Sequence, residues 1–136
     1  MTFSESKEFS VHSSSLKEIR SFAREVLTKD NIFKSTSDDV VLALAEAAQN
    51  IVKHAYNGAD TSDNLKVEIS YNDNQLKIDL YDKGTPVIPT NIKPRNVDDI
   101  KPGGLGTFFI KQIMDEAVFK KDQQKWVNHL ILSKKI

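Results

Sequence analysis

The chain has no cysteine. Disulfides, a thiolate zinc site and a thiol nucleophile are therefore excluded. It has no charge surplus either: 19 lysines and arginines balance 19 aspartates and glutamates, for a formal net charge of zero. Bulk nucleic-acid or membrane-surface binding normally announces itself as a basic excess, so neither is expected. No apolar run approaches the roughly 18 residues that a membrane span needs. The three histidines, His12, His54 and His129, are scattered and form no ligand motif. The first eight residues are mostly polar and include acids, unlike a signal peptide. A single domain covering residues 1–136, soluble and cytoplasmic, is the expectation.

Hydropathy periodicity orders the elements. Residues 8–13 alternate, with Phe9 and Val11 against Ser10 and His12, and read as a first strand. Ser13, Ser14 and Ser15 offer a helix cap. Leu16, Ile19, Phe22, Ala23, Val26 and Leu27 then recur at steps of three and four, which predicts an amphipathic helix. Its Lys17, Arg20 and Arg24 read as a solvated face, with a docking surface for a protein partner as the alternative. A second helix starts near Ser35–Ser37, has Asp38 and Asp39 in its first turn, and runs to about Tyr56. Residues 66–71 and 76–81 alternate around a turn at Asn72, Asp73 and Asn74 and predict a hairpin. All four prolines, Pro86, Pro89, Pro94 and Pro102, fall in one stretch. That stretch, about residues 85–102, suits a lid and cannot be a central strand. An apolar helix follows Gly106, and residues 116–121 and 125–134 predict a second hairpin turning at Asp122, Gln123 and Gln124.

Three motifs carry chemistry. With Glu46 at zero on a helical wheel of about 100° per residue, Asn50, Lys53 and Asn57 fall within about 40°. Apolar side chains cover the remaining arc, so the polar groups share one seam of a mostly buried helix. Such groups are costly without partners; a plain wet face is the alternative. Asp82-Lys83-Gly84 follows a strand. There a carboxylate can accept from an amino group such as the adenine amine, and a glycine lets a flat ring approach the backbone. A simple turn explains the same residues. Gly103-Gly104-Leu105-Gly106, with Thr107, precedes a helix, where free amide groups and the helix dipole suit phosphate. A P-loop ending and an early Gly-x-Gly-x-x-Gly are both missing.

In this order, Glu46-x-x-x-Asn50, Asp82-x-Gly84 and Gly104-x-Gly106 resemble the N, G1 and G2 boxes of the GHKL superfamily of ATPases and kinases. Within it the chain is most similar to the stand-alone anti-sigma-factor serine kinases of bacterial stress and sporulation regulation. The run from Gly103 to Glu116 carries the likeness furthest. It departs from that family's pattern at Val87-Ile88-Pro89 and at Pro102, both within the lid. The resemblance implies a Bergerat fold: a two-layer α/β sandwich with a mostly antiparallel sheet packed on helices. It implies ATP and Mg²⁺ as cofactors, with Asn50 as the metal ligand, Asp82 and Gly84 at the adenine, and the amides of residues 103–107 (Gly103, Gly104, Leu105, Gly106, Thr107) at the phosphates. Glu46 would be the catalytic base and Lys53 either a phosphate contact or a solvated lysine. The implied activity is phosphorylation of a STAS-type anti-anti-sigma protein by an anti-sigma factor that also binds a sigma factor, with a homodimer as a further expectation. A nucleotide-gated binding module that transfers nothing is the alternative.

Overall fold

The computed structural model describes residues 2–55, 61–84, 105–121 and 125–136, excepting the side chains of 54, 55, 105–108 and 121. The expected lid, Gly103 and Gly104, residues 56–60 at the expected end of the second helix, and the 122–124 turn lie outside the described residues.

Among the described residues five strands form one antiparallel sheet in the order β1-β2-β3-β5-β4. They are β1 (Phe3–Ser10), β2 (Asn64–Asn72), β3 (Gln75–Asp82), β4 (Glu116–Lys121) and β5 (Asn128–Lys135). The helices are α1 (Leu16–Leu27), α2 (Ser37–Asn50) and α3 (Leu105–Ile113). Side chains alternate across each strand, so one face of the sheet carries Leu65, Val67 and Ile69, then Leu76, Ile78 and Leu80, then Leu130 and Leu132. These form one core with Ile19, Ala23 and Val26 of α1, Val40, Leu44 and Ala48 of α2, and Ile110 of α3. This is the two-layer sandwich that the resemblance implies. Among the described residues no helix is long and apolar enough to cross a membrane.

The hairpin β2–β3 behaves as its turn residues dictate. Asp73 and Asn74 both have positive φ, 50° and 62°. That pair of left-handed residues is what a two-residue hairpin turn requires, and aspartate and asparagine tolerate it. A cavity of about 450 Å³ lined by Asp30, Ile32, Tyr71 and Asp73 sits at this end of the hairpin. Asp82 ends β3 at the other end.

Four boundaries differ from expectation. The first strand is Phe3–Ser10 rather than residues 8–13. Pairing decides this: Phe3 lies opposite Tyr71, stacks on it at 6.1 Å and meets Phe33 edge-on at 5.9 Å. The intervening Ser4, Glu5, Ser6 and Lys7 are all polar and gave no alternation to read. The serines after it form a 3₁₀ turn, Ser13–Ser15, in which the His12 ring accepts from the Ser14 N–H at 3.1 Å. Ser15 occupies the N-cap of α1 without capping it; its hydroxyl hydrogen-bonds that of Ser10 at 2.8 Å. The second helix is α-helical only to Asn50, and a π-helical turn, Ile51–Ala55, continues it. The last strand begins at Asn128, because the Val127 N–H donates to the Asp82 carbonyl at 2.9 Å and Trp126 packs against Tyr81, 6.0 Å between centroids.

Tertiary contacts finish the helix ends. Lys134 Nζ donates to the Ile113 carbonyl at 2.7 Å and so takes one of the open acceptors at the C-terminus of α3. Arg24 Nη1 pairs with Asp38 Oδ1 at 2.7 Å, joining α1 to the start of α2. Both side chains are more than half exposed, at 54% and 85%, so this pair contributes little to stability.

Candidate functional site

The site is built from the end of α2, the end of β3 and the start of α3. Alanine at positions 43, 45, 47 and 48 lets α2 sit deep in the helix layer, where these residues are buried and the helix packs against both α1 and α3. Only a narrow strip of α2 reaches out. Glu46, Gln49 and Asn50 on that strip are half-buried. A carboxylate and a carboxamide one turn apart, neither fully solvated, are what the wheel predicts. Lys53 is exposed on the π-helical turn. The wider i→i+5 turn carries residues beyond Asn50 off the α-helical stripe, so the wheel angle drawn for Lys53 does not apply to it.

Asp82 has the same parity as Leu76, Ile78 and Leu80 and therefore faces the helix layer. It is 3% exposed. Two donors meet its Oδ1: the Gly84 N–H at 2.9 Å and Asn128 Nδ2 at 2.9 Å. Oδ2 takes no hydrogen bond among the described residues. Burial pushes the carboxyl above its ordinary value, and the bonds from Asn128 and Gly84 pull against that rise without cancelling it. The arrangement leaves a buried acceptor, fixed in orientation, beside a residue without a Cβ.

Asn128 is the participant that reading the sequence missed. It stands directly across the β3–β5 ladder from Asp82, 46 residues away in the chain. Only the register of that pairing could have revealed it. Of the glycine-bearing turn, the backbones of Leu105, Gly106 and Thr107 begin α3, and Gly103 and Gly104 lie outside the described residues.

The groups present suit a purine nucleotide and a hard cation. Asp82 is a buried carboxylate acceptor, a group of the kind to which an amine can donate. Asn50 offers one neutral oxygen, with Glu46 one turn away. Among the described residues no group of three acidic or histidine side chains could hold a metal alone.

The raised pKa of Asp82 has a consequence for stability. An acid whose folded value exceeds its unfolded value favours the fold in its protonated form. That contribution is complete below the unfolded pKa and is lost as pH rises through the folded one. Stability is therefore expected to lose this component as pH climbs from the ordinary carboxylate range, about 4, toward neutrality. Asp82→Asn has no proton to lose. Urea midpoints of parent and variant should diverge in the variant's favour over that window, and a difference independent of pH would contradict the burial effect.

Residues 9–134 match the family model described as a histidine kinase-like ATPase domain. The chain is also similar to the serine-protein kinase RsbW of Staphylococcus aureus (strain bovine RF122 / ET3-1) and to that of Staphylococcus aureus (strain Newman). Each is 31% identical over 109 residues, covering 74% of this chain and 65% of the relative. The matched stretch thus spans just under two thirds of the relatives' length.

Proposed function

This chain belongs to the histidine kinase-like ATPase family, and from that premise we propose that it is a Mg-ATP-dependent protein serine/threonine kinase acting as an anti-sigma factor. Its substrate is a STAS-type anti-anti-sigma protein, and its second partner is a sigma factor. It works in the cytoplasm without contacting nucleic acid directly, as a homodimer. The observation that carries nucleotide binding is the buried Asp82, held at one oxygen by Gly84 and Asn128. What supports kinase activity is the likeness to serine-protein kinases together with a half-buried glutamate one turn from a half-buried asparagine.

In this assignment Asp82 accepts from the adenine amine and Gly84 leaves room for the ring. Asn50 ligates the cation, and backbone amides at the start of α3 hold phosphate oxygens, as helix N-termini do. Magnesium, when bound, supplies charge neutralisation across the phosphates. Glu46 takes the proton from a serine or threonine hydroxyl as that oxygen bonds to the γ-phosphorus, while the bond from that phosphorus to the bridging oxygen breaks and ADP leaves with the electron pair.

The test is transfer itself. The chain, γ-labelled ATP, Mg²⁺ and a STAS-type protein are incubated, and label is expected on a serine or threonine of the second protein. Binding of both ATP and that protein with no transfer would replace the kinase with a nucleotide-gated binding module.

A further inference from the structure

The sheet has a second face, away from the helices, and one corner of it is unlike the rest. Tyr81 and His129 are cross-strand neighbours on β3 and β5 and stack at 4.1 Å between ring centroids. Trp126 closes against Tyr81. His129 is held from the side, with Nε2 2.7 Å from Oδ1 of the buried Asp79 on the same face of the sheet. Around these rings stand lysines. Lys66 Nζ lies 5.5 Å from the Tyr81 ring centre, and Lys83 and Lys125 lie 5.4 Å and 5.5 Å from that of Trp126. Lys120 on β4 is the direct cross-strand neighbour of His129. Next to this rim, Val118 is 43% exposed, among the few large apolar side chains left open in the described residues, and its cross-strand neighbour is the half-buried Ile131.

We propose that this corner is a docking surface for an acidic segment of a protein partner, with Val118 and Ile131 as its apolar seat and Lys66, Lys120 and Lys125 as its cationic rim. The anatomy is that of a protein interface: a small apolar centre, stacked aromatic rings beside it, and charge at the edge that steers and orients. Rim charge of one sign selects a partner of the other sign. Lys66 is shared with Glu68 at 4.0 Å, so the cationic character of the corner rests on the exposed Lys120 and Lys125 on its far side. A nucleic acid fits less well. Its phosphates would continue across the sheet onto Glu68, which lies 4.0 Å from Lys66, and onto Glu8, the cross-strand neighbour of Lys66. A short acidic segment ends before reaching them. The surface is distinct from the nucleotide site, since Asp82 faces the helix layer and Tyr81, one residue earlier, faces the other way.

Trp126 is the sole tryptophan, so its fluorescence reads this corner directly. The full chain is titrated with a short peptide rich in glutamate and aspartate and carrying one leucine. The matched glutamine/asparagine peptide and a single-stranded DNA oligonucleotide serve as comparisons. A saturable change with the acidic peptide alone is expected. The double variant Lys120→Glu/Lys125→Glu should weaken it about tenfold or more at low salt, in line with reversing rim charge. Both lysines are exposed, so the variant should melt where the parent does, and Val118→Ser gives a second, uncharged probe that should also weaken binding. No saturable change with the acidic peptide would overturn the proposal. So would equal binding of the neutral peptide, indifference to charge reversal, or tighter binding of the oligonucleotide.

Discussion

Replacing Glu46 with glutamine is expected to cut phosphoryl transfer to a protein hydroxyl by about 10²–10⁴-fold, the usual contribution of a positioned general base. Glutamine keeps the length and shape of the side chain and has nearly the same helix propensity, so α2 should be undisturbed. It cannot take a proton. Glu46 is half-buried on a strip whose neighbours at 43, 45, 47 and 48 are buried, so the replacement side chain is held in the same place. The loss should fall on the transfer step in a single-turnover assay with labelled ATP. ATP affinity, measured by displacement of a fluorescent nucleotide, should stay within about twofold, because a base that acts on the acceptor hydroxyl contributes only in the transition state. Undiminished transfer would remove Glu46 from the mechanism. Loss of transfer together with loss of ATP affinity would make it a binding residue.

Asp82→Asn should act on the other half of the site. Oδ1 of Asp82 already receives the Gly84 N–H and Asn128 Nδ2. An asparagine there must place its own carbonyl oxygen toward those two donors, and its NH₂ then occupies the position of Oδ2. An adenine amine arriving at that position meets a donor instead of an acceptor. Losing a charged hydrogen bond and leaving a buried donor unmatched costs about 2–4 kcal/mol, or roughly 10²-fold or more in ATP affinity. A guanine presents a carbonyl oxygen where adenine presents its amine. GTP should therefore lose much less, and the preference for ATP over GTP should shrink or invert. Calorimetric titration of both nucleotides into both proteins measures this. A variant that binds ATP as the parent does would show that Asp82 does not read the base. Because the same substitution removes a buried charge, the variant should be at least as stable as the parent near neutral pH, so weak binding would not be a folding defect.

The sequence was most legible where local chemistry decides. Alternation over Val67, Ile69 and Tyr71 and over Leu76, Ile78 and Leu80 marked the central hairpin, and Asp73-Asn74 supplied the residues its left-handed turn needs. Alanines and valines on α2 left a polar strip containing Glu46 and Asn50, and both are half-buried where the wheel put them. Periods of two and of 3.6 residues are set by backbone geometry, so the chain carries them without knowledge of the fold. The ordered spacing of the three boxes likewise pointed to the family that the chain joins.

What the sequence could not hold is whatever depends on which strand lies beside which. The polar start of β1 becomes a strand only because β2 offers an edge and Tyr71 a ring for Phe3. The bond from Asn128 to Asp82 spans 46 residues and exists because β5, not β4, pairs with β3. The upward shift of the Asp82 carboxyl follows from burial by the helix layer. The lysine-rimmed rings need Lys66, Tyr81, Trp126 and His129 from separate segments, brought to one corner by cross-strand register. By itself, then, the sequence determined the elements, their apolar faces and the family. The tertiary structure alone decided the long-range partners of the polar groups, such as Asn128 for Asp82, because a desolvation penalty or a bond across the sheet is a property of neighbours in space and not of neighbours in the chain.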